Sequence, residues 1–148
     1  MDKSVIAGGA TVIAGGLVAL QAPINSVLGK SVGNFAAASV NFFVGLGLLV
    51  LITLVFYGGF GDLGEGRGLA WYYWLGGGLV GAAYVATVLI TVRELGAGGV
   101  TAATITGQLA ASIAIDKAGL LGLPETPITA SRVVGVALLV AGTILVVR

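Results

Sequence analysis

The sequence predicts an all-α integral membrane protein of five transmembrane helices, and three observations carry that prediction. Charged residues make up only 9% of a 148-residue chain that is 57% hydrophobic. Soluble domains carry roughly 25% charged residues, so this chain lacks the polar surface to face water on all sides. Its apolar residues fall into five runs of about 18 or more, the length a helix needs to cross a hydrocarbon core. Between the runs stand charges and glycine or proline clusters, which stop helices and turn the chain.

Composition also excludes several chemistries. There is no cysteine, hence no disulfide framework or thiolate, and no histidine, the commonest metal ligand and general base. Metal sites, hydrolytic triads and bound cofactors are therefore not expected, and neither is enzymatic activity. The net charge of +1 comes without a cluster of Lys and Arg on one face, which argues against a nucleic-acid partner. The N-terminus has only a weak likeness to a signal peptide: Asp2 offsets Lys3, and no small-x-small cleavage site follows cleanly. It reads as the first membrane helix.

That first helix spans residues 4–28, from Ser4 through Leu20 and on into Gln21-Ala22-Pro23-Ile24-Asn25, where it is expected to kink. Gln21 and Asn25, four apart, share one helical face, and Pro23 between them removes a backbone donor. A polar face beside a loosened backbone is tolerated in a membrane only against protein or water. It lines a path for a solute, or it ties helices together. A Gly29-Lys30 turn, continuing to Asn34, is expected to close the segment.

The second helix, 34–56, carries Asn41 and Gly45 four apart on the face expected to meet a partner. Residues 57–70 form the longest polar, glycine-rich loop, with Asp62, Glu65 and Arg67 in water. Trp71-Tyr72-Tyr73-Trp74 opens the third helix, 71–92, as an interfacial aromatic belt. Gly77 and Gly81 offer a small-residue contact face, and Tyr84 falls just past the middle. Arg93-Glu94 and Gly96 to Gly99 turn the chain into the fourth helix, 98–115. This helix has the least lipid-like composition and is expected inside the bundle. Gly99, Ala103, Gly107 and Ala111 form one row, and Thr104, Gln108 and Ser112 form the next, leading to Asp116. After a loop with Pro124 and Pro127, Thr129 or Ser131 can cap the fifth helix, 129–147, with Arg132 snorkelling to the interface.

Five spans place the termini on opposite sides. Four basic residues (Lys3, Arg67, Lys117, Arg132) then share one side and three (Lys30, Arg93, Arg148) the other. Orientation follows Lys/Arg bias, so a difference of one specifies little and dual topology is expected.

These residues, in this order, resemble the YdcZ-like family of the drug/metabolite transporter superfamily. The likeness runs over almost the whole chain: Gln21, Asn25 and Leu28-Gly29; Asn41 and Gly45; Gly76-Gly77; Gly107-Gln108-Leu109 followed by Asp116 and Gly119; then Arg132 and Gly135. The resemblance implies a multi-pass protein of the prokaryotic plasma (inner) membrane. It implies half of a ten-helix inverted-repeat transporter that must pair, as an antiparallel homodimer or with a sister chain. In one respect the chain departs from the family, which often has a proline just before the glycine entering the fourth helix. Here Arg93-Glu94-Leu95-Gly96 stands instead, which argues against a hinge at that point.

The expected function is export of a small-molecule cargo by alternating access, with membrane lipid and the second chain as partners. The competing reading is a non-transporting or channel-like protein whose polar residues serve packing. Apart from Arg132, in the first turn of the fifth helix, no Asp, Glu, Lys or Arg lies between the expected helix ends, so a substrate path would be lined by amides, hydroxyls and an aromatic. The candidates are Gln108 near the midplane with Tyr84 opposite it, then Gln21, Asn25, Asn41, Thr104 and Ser112.

Overall fold

The computed structural model describes residues 2–148, and every regular element among them is helical. Helix α1 runs Lys3–Val32, α2 Asn34–Phe56, α3 Trp71–Ala118 and α4 Ala130–Val147. Each is long and apolar enough to cross a membrane. At about 1.5 Å per residue, α3 is long enough to cross twice. It is interrupted once, at Gly96, whose φ of 68° and ψ of 171° leave the helical region. The arms 71–95 and 97–118 thus correspond to the third and fourth expected helices. A residue with a Cβ is strained at that φ, so glycine supplies the break that the family often marks with proline. The expectation that no hinge geometry forms here is corrected.

A second correction concerns Gly29-Lys30. No turn forms there, because α1 continues to Val32 and the chain reverses at the single residue Gly33, with φ 92° and ψ 149°. Apolar runs mark where a helix enters lipid, whereas its end is set by the residue that can adopt positive φ. Pro23 lies inside α1 and deprives the Ala19 carbonyl of its helical donor. The loop after α2 winds into a 3₁₀ turn at Gly61–Gly68, and a Cβ on Gly66 would stand 2.5 Å from Trp74 Cζ2. Trp71 to Trp74 are all exposed, as an interfacial belt requires.

The chain forms two compact units. One is built from Gln21–Arg93 and the other from residues 2–20 with Glu94–Arg148. In the first, Ala22, Asn25, Ser26 and Gly29 of α1 are buried, as are Ala37 and Ala38 of α2 and Val85, Val88, Leu89 and Val92 of α3. Ala38, Val85 and Leu89 form its core, with Tyr84 packed against them. Alanine and glycine on α1 and α2 let backbones approach, which is how helices associate in lipid without a hydrophobic driving force.

In the second unit, hydroxyls join the 97–118 arm of α3 to α4. Thr106 and Thr143 share a hydrogen bond of 2.7 Å between their Oγ1 atoms. Thr143 Oγ1 donates to the Ala102 carbonyl at 3.1 Å, so the bonds cross between helices. Gly99 is buried where a Cβ would lie 3.4 Å from Val147 Cγ2. Thr129 caps α4 by accepting from the Arg132 amide, as its position predicts. Arg132 Nη1 then meets Asp116 Oδ2 at 3.3 Å, which adds an ion pair to the expected snorkelling.

Most of the remaining surface is apolar and exposed. No residue of α4 is buried, nor any residue of the most hydrophobic window of α2. The 97–118 arm is also less enclosed than its composition suggests. Beyond Val100 none of its residues is buried, and Gly107, Gln108, Ala111 and Ser112 are exposed. Within its own unit the arm meets α4 along its threonine face.

Candidate functional site

The polar side chains of the Gln21–Arg93 unit occupy two levels of α1. At Gln21, half-buried beside the buried Ala22, Nε2 donates to Asn41 Oδ1 of α2 at 3.3 Å. That is a long bond for N–H···O, whose usual range ends near 3.2 Å. An amide holds two donor hydrogens and an acceptor oxygen, so this single bond leaves most of the pair's capacity unused. The pair lies on a groove of about 380 Å³ whose other walls are Phe42, Gly45, Leu46 and Leu49. Gly45 is the reason the groove exists: a Cβ there would find no atom within 4 Å. Asn41 and Gly45 do share a face, as their spacing of four predicts.

At the other level, Arg93 Nη2 donates to Asn34 Oδ1 at 2.7 Å, beside Gly29. This cluster joins the ends of α1, α2 and the first arm of α3. Sequence reasoning did not find it, since nothing local pairs residues 59 apart.

Of the expected site residues, the structure brings together Gln21 and Asn41. Asn25 is 7% exposed and packed among the buried residues of α1, and it does not line the groove. Tyr84 is half-buried against the Ala38–Val85–Leu89 core, which is a packing position in its unit. Thr104, half-buried, and Gln108 and Ser112, both exposed, share one face of the 97–118 arm in the other unit. That second unit has its own groove of about 570 Å³, between Gly98, Thr101 and Ala102 of α3 and Leu138, Gly142 and Thr143 of α4. Its walls are almost wholly apolar, and the Thr143 hydroxyl is already engaged with Ala102. Fixed amides are thus found at the first groove and not at this one. Among the described residues no cluster of acidic residues could hold a metal ion.

Nearly all of the helical chain, with the glycine break at Gly96 and the amide pair, falls within residues 6–145, and that span matches a family model described as "Putative inner membrane exporter, YdcZ". The chain belongs to the YdcZ family. No curated protein and no solved structure matches it. As a YdcZ-family chain it is a multi-pass protein of the inner membrane, in a family described as an inner membrane exporter. The matched span takes in Gln21, Asn41, Gln108, Asp116 and Arg132.

Proposed function

We propose that the chain exports a small molecule by alternating access, working as an antiparallel pair of five-helix halves. Its partner is a second copy or a sister chain, and the solute path runs at the interface between them. The observation that carries this reading is the exposure of Gln108 near the middle of the 97–118 arm. An amide left unpaired in hydrocarbon costs on the order of several kcal/mol, so in the membrane this one must meet protein, water or solute. Ser112, one turn on, extends the same polar face. Two inverted halves supply a two-fold axis in the membrane plane, and rocking one against the other exchanges inward- and outward-facing states. The even charge count permits both orientations.

The bond between Gln21 and Asn41 favours a second reading, in which polar side chains serve as helix glue and no transport cycle exists. Gln108→Leu separates the two in purified protein screened against metabolites and organic cations. Lost ligand-dependent stabilisation with intact folding supports the export path. If neither ligand binding nor the dimer fraction changes, Gln108 faces lipid harmlessly and the proposed path is wrong.

A further inference from the structure

We infer that the groove at Gln21 and Asn41 binds an uncharged solute that has an apolar body and one amide-like or hydroxyl edge. The inference rests on the exporter reading above and deepens it by naming the class of cargo. Three features of the groove carry it.

The first is charge. Gln21, Asn41, Phe42, Gly45, Leu46 and Leu49 line the groove, and none is ionisable. A carboxylate or ammonium entering would leave water without a countercharge, which the low-dielectric surroundings penalise heavily. Arg93, the charged group at the other polar level, is engaged with Asn34 and is not part of this wall.

The second is hydrogen-bonding capacity. The one bond between the amides uses Gln21 Nε2 and Asn41 Oδ1. Gln21 Oε1 and Asn41 Nδ2 make no hydrogen bond among the described residues, and neither is sealed from the groove. An unused acceptor on α1 and an unused donor on α2 therefore belong to the same bonded amide pair. Their complement is a neutral group offering one donor and one acceptor: a carboxamide, a lactam, a urea or an alcohol. The mutual bond holds the two amides in place before a ligand arrives, which lowers the ordering cost of binding.

The third is shape. The remaining walls are one aromatic ring, two leucines and a glycine, and the space of about 380 Å³ accommodates a body of one or two rings. A Cβ at Gly45 would meet nothing within 4 Å, so a larger side chain there enters the groove without disturbing the helix.

The test uses the full chain, purified in detergent, and three probes sharing one ring system: naphthamide, naphthoate and (naphthylmethyl)trimethylammonium. Binding is followed by naphthalene fluorescence and by thermal shift. Naphthamide is expected to bind, and the two ions to bind less. Gln21→Leu and Asn41→Leu should each weaken naphthamide binding by roughly threefold to tenfold, the factor attached to a hydrogen bond of this kind. Gly45→Leu should abolish it while the circular dichroism and unfolding temperature of the unliganded protein stay unchanged. The inference is overturned if either ion binds as well as naphthamide, if none of the three binds, or if Gly45→Leu folds and binds like the parent. Flux is measured separately in vesicles. Naphthamide binding without naphthamide counterflow would leave the ligand class standing and defeat the exporter reading.

Discussion

Arg93 reaches across the end of α1 to donate a 2.7 Å hydrogen bond to Asn34, and Gly29 is the residue over which the two meet. A Cβ on Gly29 would lie 2.9 Å from Asn34 Oδ1 and 3.3 Å from Arg93 Nη2. Alanine there gains about 1 kcal/mol of helix propensity and displaces a flexible amide, so Gly29→Ala is expected to be close to neutral. Gly29→Leu must also move Leu89, and overpacking of that kind costs about 1–3 kcal/mol. Reversible unfolding in mixed micelles compares the two, and Arg93→Ala should remove the small penalty in the alanine variant.

The Thr106–Thr143 pair is the hydroxyl link between the 97–118 arm and α4, beside the Asp116–Arg132 ion pair at their end. Interhelical hydrogen bonds in membranes average about 0.6 kcal/mol and reach about 1.7. A double-mutant cycle of Thr106→Val and Thr143→Val is expected to give a coupling in that range. A coupling of zero would mean that the two hydroxyls add nothing to the packing of these helices.

Asp116 and Arg132 are each about one-third exposed, so their 3.3 Å ion pair is screened by solvent. Asp116→Asn is expected to cost no more than about 1 kcal/mol, and less as salt is raised. A much larger loss, insensitive to salt, would show that the acid is held away from water in the assembled protein.

How far the sequence could be read follows from the kind of signal each feature leaves. The helices are legible because an apolar run long enough to span is written residue by residue, and Thr129 is legible because a cap is a local matter. Where α1 ends was not legible at Gly29-Lys30, since several glycines can turn a chain and only packing selects Gly33. At Gly96 the missing proline pointed the wrong way, because glycine reaches the same break through positive φ. Gln21 and Asn25 share a face by periodicity, yet Asn41 became the partner of Gln21 through a contact 20 residues away. Gln108 is exposed, and periodicity along one helix cannot say what covers it in the membrane.

The Gln108 face yields a further prediction. The chain has no cysteine of its own, so single cysteines at Ala103, Gly107 and Ala111 report their surroundings without interference. Along this row, residues at an interface between two chains should cross-link or resist alkylation in native membranes. Uniform reactivity toward a lipid-soluble maleimide at all three would place the row in lipid.

The antiparallel arrangement is tested most directly by the orientation of single molecules in sealed membranes. A cysteine replacing Asp2, a position whose acid contributes little to orientation, is offered a membrane-impermeant maleimide before and after lysis. The paired account, in its homodimer form, predicts that roughly half the chains label before lysis, and that two lysines added on one side drive the fraction toward all or none. A parent chain that labels completely, or not at all, would contradict the antiparallel homodimer.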